Sequence, residues 1–328
     1  MQENSPIKFL KYIKNGDSVK AVSERLELKE SEVMGLIEYL QLEGYNVDLY
    51  YEDETLKIFK RPIFRKEMSL KKDVDDLEEI KLCVVSDTHI GSIPQQLTLL
   101  NKTYQEAYKR GIKTVLHCGD LVDGDYHNKR PSHPYQVFLH GFDEQCEYVV
   151  EMYPEVKDTV TYFIQGSHDE THFLNGGATV GKWIEKNRDD MIYLGQDDAI
   201  YKAGIKKNVS IQMHHPGGGS AKGMSYNSQE KINKMTSGNK PKVLLTGHYH
   251  KTYYMFYRNV HSILVPCFMD KSGFMIRNSL INVVGAVFLT LYVNNKGEIQ
   301  YISPEEYLFD ESEIIKDDYK KCKKLQIV

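Results

Sequence analysis

Acids and imidazoles sit at the ends of apolar runs throughout this chain. Asp87 and His89 follow Leu82-Cys83-Val84-Val85, and Asp120 and Asp123 follow Thr114 to Cys118. His168 follows Val160 to Gln165, the pair His214-His215 follows Val209 to Met213, and His248 and His250 follow Val243 to Thr246. A carboxylate or imidazole just past a buried strand packs poorly but is well suited to holding a metal ion. Taken singly, each has a bland reading. An aspartate before a turn caps its own backbone, and a lone histidine is satisfied in the core, which is how His117, His140 and His261 are read. The same arrangement at five strand ends is not explained that way.

Those runs set the elements that must position the residues. Each is four to six residues long and apolar, the pattern of a buried strand. Helical stretches at Leu97 to Tyr108 and Asp143 to Tyr153 alternate with them. The alternation predicts an α/β layered domain from Ile80 onward. In open α/β sheets ligands gather beyond the carboxyl ends of the strands, so five strands are expected to deliver their side chains to one edge. Ser262 to Val293, rich in β-branched residues, is expected to complete a second sheet packed on the first.

In order and spacing, Asp87-x-His89, Gly119-Asp120-x-x-Asp123-Gly124, Gly166-Ser167-His168-Asp169, His214 and Gly247-His248-x-His250 resemble the five motifs of the calcineurin-like metallophosphoesterases. The resemblance spans about Lys81 to Ile302 and implies a layered α/β/β/α sandwich with a two-metal site. Asp87, His89 and His250 would hold one ion, His214 and His248 the other, and Asp120 would bridge them. His215 is the alternative to His214, or else a substrate contact. Oxygen and imidazole donors without thiolate suit Mn²⁺, Fe or Zn²⁺, with Mn²⁺ the first expectation. Two such ions about 3.5–4 Å apart bind phosphoryl oxygens, acidify a bridging water as the nucleophile and stabilise the leaving oxygen. The resemblance assigns catalytic roles to His168, at the leaving group, and Asp123, which orients a histidine. Gly119, Gly166 and Gly247 are expected to let the chain turn sharply. Ser167 departs from the family pattern, which has asparagine there as a ligand, and a hydroxyl would hold the second ion more weakly.

For substrate contacts the sequence offers Gly217 to Gly223 with Lys222, whose amides and ammonium suit a phosphate. Tyr226, Asn227 and Gln229 follow. His127, Lys129, Arg130 and His133 form a basic segment after the second motif, and His172 lies after the third. The run Ser86 to Ser92 looks most like the repair-exonuclease branch, so the expected reaction is phosphodiester hydrolysis of nucleic acid by a nuclease. A small nucleotide as substrate is the alternative within enzymes, and a weakly active binding regulator the alternative outside them.

Residues 1–60 read as a separate unit of three short helices and a hairpin that resembles a winged helix-turn-helix. Ser18 and Ser31 are expected N-caps. The third helix carries Val33, Met34, Leu36, Ile37 and Leu40 as its apolar stripe. It has glutamates and no Lys or Arg between Ser31 and Gly44, so contact with protein is favoured over DNA. Residues 61–79 read as a charged linker, 80–305 as the catalytic domain and 306–328 as a charged tail. The net charge of −4 over 328 residues gives no bulk attraction to nucleic acid, so such a partner needs a local patch. No apolar segment approaches the roughly 18 residues that span a bilayer. The N-terminus lacks a signal peptide's pattern, and the five scattered cysteines read as reduced, so a cytoplasmic location is expected.

Overall fold

The computed structural model describes residues 6–43, 45, 47–60, 77–206, 209–219, 223–236, 238 and 240–327. The chain divides into two compact units at Asp73–Val74, and the linker expected at 61–79 falls mostly outside the described residues. No helix among those described is long and apolar enough to cross a membrane.

The first unit contains α1 (Pro6–Tyr12), α2 (Val19–Leu26), α3 (Glu30–Leu42) and an antiparallel hairpin of β1 (Val47–Glu52) and β2 (Thr55–Lys60). Its core joins Phe9 and Ile13 to Val22, Val33, Ile37, Leu40 and Ile58. Ser18 caps α2 as its type requires, accepting from Ala21 N at 3.0 Å. Ser31 does not cap α3. The helix begins two residues earlier, at Glu30 with Lys29 in the cap position, and the Glu32 carboxylate accepts from Lys29 N at 2.7 Å. Met34 faces solvent, because the buried stripe runs through Val33, Ile37 and Leu40.

The second unit opens with β3 (Glu78–Val85), α4 (Leu97–Lys109) and β4 (Thr114–His117). It continues through α5 (Gly141–Met152), β5 (Glu155–Val156), β6 (Val160–Gln165), α6 (Glu170–Gly176), α7 (Val180–Asn187) and β7 (Met191–Gln196). Next come β8 (Asp198–Ala203), β9 (Val209–His214), α8 (Tyr226–Lys234), β10 (Val243–Thr246), β11 (Tyr253–Tyr257) and β12 (Val260–Leu264). The chain closes with α9 (Gly273–Arg277), β13 (Val284–Val293), β14 (Ile299–Phe309), α10 (Asp318–Lys321) and β15 (Gln326–Ile327).

Two sheets face each other. One has the order β14-β13-β3-β4-β6-β7, the other β11-β12-β10-β9-β8. Residues 82–85 of β3 are apolar without interruption because both faces are covered there, whereas Glu79 and Lys81, earlier in the strand, are exposed. Leu82 and Val84 point between the sheets toward Ile211, Met213 and Leu245, while Cys83 and Val85 join the cluster under α4, α5 and α7. On the far side Ile232 of α8 packs on Leu244 and Val260. The layers run helix, sheet, sheet, helix.

Three expectations need correction. The ligand-bearing strands do not share one sheet: β3, β4 and β6 lie in the first, β9 and β10 in the second. The segment 262–293 is split, since β13 inserts between β14 and β3 of the first sheet and only the end of β12 belongs to the second. The residues read as a charged tail pack on the domain. Strand β14 reaches Phe309, Tyr319 stacks on Phe138 at 4.6 Å, and β15 pairs with β5. Asp318, fully buried, accepts from Thr98 N at 3.1 Å and so caps α4 from 220 residues away.

Candidate metal centre

The ends of β3 and β4 continue side by side past the sheet. Asp87 N donates to Gly119 O at 2.9 Å and His89 N to Asp120 O at 3.1 Å. These bonds hold an unusual backbone: Asp87, His89, Asp120, His248 and His250 all have φ between 42° and 75°. Left-handed non-glycine residues cost about 1–3 kcal/mol each and persist where surrounding structure over-determines them, commonly at functional sites. The Asp87 carboxylate ties the first motif to the last by accepting from His248 N at 2.9 and 3.1 Å. Asp120 Oδ1 likewise accepts from His168 N at 2.7 Å.

Three groups result, Asp87–His89–His250, Asp120–His215–His248 and His89–Asp123–His168, the last sharing His89 with the first. In the first, His250 Nε2 lies 3.3 Å from Asp87 Oδ1 and 3.2 Å from His89 Nε2. In the second, His215 Nε2 lies 3.0 Å from Asp120 Oδ2, and that same oxygen is 3.9 Å from His89 Nε2. Asp120 therefore stands between the clusters.

The donor chemistry fits a cation in each of the first two. His215 Nδ1 donates to Cys118 O at 2.7 Å, so its neutral ring turns an Nε2 lone pair toward the Asp120 carboxylate. His89 Nδ1 faces Asp123 Oδ1 at 3.1 Å, leaving its Nε2 lone pair toward His250 and Asp87. Acceptors aimed at one another need something positive between them. Without an ion a proton fills that role: burial opposes charge on His215, yet the Asp120 and Asp87 carboxylates push it up to about 10. Spacings of 3.0–3.9 Å compare with the roughly 3.0–3.5 Å edges of polyhedra whose metal bonds are about 2.1 Å.

The expected ligand His214 is not in either cluster. Along β9 alternate residues face opposite ways, so Ile211 and Met213 enter the inter-sheet core and His214 points out. Its Nδ1 lies 3.2 Å from Asp198 Oδ2, beside Lys231. His215 regains the parity of Met213 and is fully buried against Asp120. Parity with Ile211 and Met213 puts His215 on the inward side once strand pairing has set which face of β9 is buried.

Glycines make room for this packing more than they turn the chain. A Cβ on Gly166 would lie 2.3 Å from Asp120 Oδ1 and 2.6 Å from the His215 ring, and one on Gly247 would lie 2.3 Å from Ser86 Oγ. Of the three, Gly119 alone has a positive φ.

Asp123 is bracketed by imidazoles, with Oδ2 accepting from His133 Nε2 at 2.8 Å and Oδ1 facing His89. Burial works against its charge, but His133 and His89 hold it well below the usual carboxylate range. His133 is thus a buried support, not a surface cation. His168 Nδ1 donates to Asp123 O at 2.6 Å, leaving Nε2 for the cleft. Burial pushes His168 down to about 4 despite the nearby Asp120 and Asp123. Ser167 lines the same cleft, and its carbonyl accepts from Tyr126 Oη at 3.1 Å.

The cleft holds about 870 Å³. Lys129, Arg130, Gly218 and Gly219 line it, whereas Tyr226 is an exposed residue at the start of α8 and His127 is an exposed partner of Asp125. Gly218 offers a carbonyl, to His248 Nε2 at 2.6 Å. Lys222 lies outside the described residues. His172 is buried behind the site, 3.1 Å from Gln145. His117 is buried as expected, but His140 is exposed at the start of α5, and His261 is half-buried against Phe256.

Solved structures with likeness to this chain include an archaeal phosphodiesterase, at 13% identity over 70% of this chain and 100% of that one, with a TM-score of 0.40. Vps29 of Entamoeba histolytica in complex with Zn²⁺ matches at 15% identity over 70% and 100%, with a TM-score of 0.33. A 5'-nucleotidase precursor from Thermus thermophilus matches at 11% identity over 74% of this chain and 57% of that one, with a TM-score of 0.36. No curated protein matches the sequence. The model of the calcineurin-like phosphoesterases matches residues 80–252, more than half of the chain and the stretch that carries these clusters. This chain belongs to the calcineurin-like phosphoesterase family, whose members are metal-dependent phosphoester hydrolases.

Proposed function

We propose that the protein is a phosphodiesterase with two divalent ions, acting on nucleic acid as a nuclease. The observation that carries the reading is Asp120 of one Asp/His cluster lying 3.9 Å from His89 of another, in a cleft also lined by Lys129, Arg130, Lys251 and Arg277. Asp87, His89 and His250 would hold one ion and His215 and His248 the second, with Asp120 reaching both. Such ions, Mn²⁺ before Fe or Zn²⁺, supply Lewis acidity toward phosphoryl oxygens and acidify an attacking water. The chain's own contribution is orientation. Asp123 fixes the His89 ring so that Nε2 faces the cluster, and its backbone carbonyl fixes His168 so that Nε2 faces the leaving oxygen. A phosphatase for small nucleotides is the second reading, favoured by a cleft volume in the range of small-molecule sites.

For the first unit we favour a winged helix that meets a protein, since Glu30, Glu32 and Glu38 are exposed on α3 beside Tyr39 and Leu42. All five cysteines are unpaired, which suits a cytoplasmic setting. The deciding experiment incubates the protein with Mn²⁺ and bis(p-nitrophenyl) phosphate, p-nitrophenyl phosphate or a labelled oligonucleotide. We expect the diester and the oligonucleotide to be cleaved and His89→Ala or Asp120→Ala to abolish both activities. Preference for the monoester would move the assignment to a phosphatase, and full activity in both variants would remove the site.

A further inference from the structure

The cleft that holds Asp120 and Asp123 is also lined by cations and apolar side chains. Arg130 packs on two rings, its guanidinium carbon 4.6 Å from the centroid of Tyr126 and 4.4 Å from that of Phe274. Among the described residues no carboxylate pairs with it. A guanidinium packed on two rings is restrained in orientation, and its N–H groups remain for an anion, an arrangement suited to a phosphate.

The position of Arg130 is tied to the metal clusters. Its loop is pinned on one side by Tyr126 Oη donating to Ser167 O at 3.1 Å, and on the other by His133 bonding Asp123. The Tyr126 ring packs at 4.6 Å on His168. Arg130 therefore stands one aromatic ring away from the residue proposed at the leaving group. Beyond it the cleft turns apolar, where Phe274, Leu280 and Ile281 are 37%, 38% and 67% exposed. Lys251 and Arg277 line the same cleft. The acids among the cleft's lining residues are Asp120 and Asp123 alone, both in the metal centre, in a chain whose net charge is −4.

Cations alternating with apolar and aromatic surface take a phosphate and then a base. In a duplex the faces of the bases are stacked and hidden, whereas a single strand offers them. We infer that the cleft binds an unpaired nucleic-acid strand, with a phosphate next to the scissile one on the edge of Arg130 and the following base against Phe274, Leu280 and Ile281. This inference rests on the nuclease reading and adds the strand state to it.

The test is binding, with Ca²⁺ in place of the transition metal, followed by fluorescence anisotropy on the full chain. The probes are a labelled oligothymidylate of about twelve nucleotides and a blunt hairpin duplex of the same length. We expect the single strand to bind at least about ten-fold tighter than the duplex, and Phe274→Ala to weaken it by roughly five-fold to a hundred-fold without changing the salt dependence. Arg130→Ala should weaken it and lower the slope of log K against log salt by about 0.7, one phosphate contact on a single strand. Arg130→Lys should keep the slope and lose affinity, because it keeps the charge and loses the fork. Melting temperatures close to the parent's establish that each variant is folded. Equal or tighter binding of the duplex, or parental binding by folded Arg130→Ala and Phe274→Ala, overturns the inference. Cleavage of bis(p-nitrophenyl) phosphate without strand binding removes this inference and leaves the phosphodiesterase. Strand binding with the expected dependence but no diester hydrolysis in Mn²⁺ does the reverse.

Discussion

Gly166→Ala tests how tightly the metal centre is packed. The new Cβ would stand 2.3 Å from Asp120 Oδ1, 2.6 Å from His215 Cδ2 and 2.7 Å from Asp120 N. These are roughly 1 Å short of ordinary van der Waals contact, a steep repulsion. Relaxation has few routes. Asp120 N is backbone, His215 is fully buried, and the Asp120 carboxylate is held by His168 N at 2.7 Å. Overpacking of this kind costs about 1–3 kcal/mol, and a domain of this size melts roughly 2–4 °C lower per kcal/mol. Coordination tolerates displacements of only about 0.2 Å, so the variant should fold and yet lose metal affinity on the order of 100-fold. Calorimetric titration with Mn²⁺, paired with a melting curve, reads both effects. Gly217→Ala is the control, since its Cβ would meet nothing within 4 Å and its φ is not positive. If Gly166→Ala kept the parent's stoichiometry, affinity and melting temperature, the argument that the glycine makes room for Asp120 and His215 would be refuted.

Other outcomes follow from the same geometry. His215→Ala should lower bound metal, by elemental analysis, by about one ion per chain, whereas His214→Ala, which loses a partly exposed contact to Asp198, should keep the parent's content; the opposite result would restore His214 as the ligand. Ser167→Asn, which brings a longer amide oxygen to the cleft beside Asp120, should tighten the weaker of two Mn²⁺ binding steps, and an unchanged isotherm would count against a ligand role at that position. Asp318→Ala removes the buried acceptor at the start of α4 and should cost about 1–2 kcal/mol in urea unfolding. A loss too small to detect would show that Asp318 does not stabilise the start of α4.

Much of the centre was legible because the relevant signals are local. An apolar run such as Leu82 to Val85 fits a strand buried on both faces wherever it lies, and an aspartate or histidine at its end has few packing uses. Asp87, His89, Asp120, His248 and His250 were found in that way, and the clusters bring them together. The basic segment after the second motif was also visible, yet its residues have unlike fates. His133 is buried on Asp123, Arg130 is stacked in the cleft, and His127 is exposed. Charge along a sequence does not say which side chain meets a partner.

What the linear chain determined by itself was which residue types follow which strands, since hydrophobic period and side-chain chemistry are properties of neighbours a few positions apart. Which of His214 and His215 faces Asp120, how the ligand strands divide between two sheets, and that β13 joins the first of them were decided only in three dimensions. So was the use of Asp318 as a cap for α4. Each depends on strand pairing or on burial of one particular face, and both are set by segments tens to hundreds of residues away.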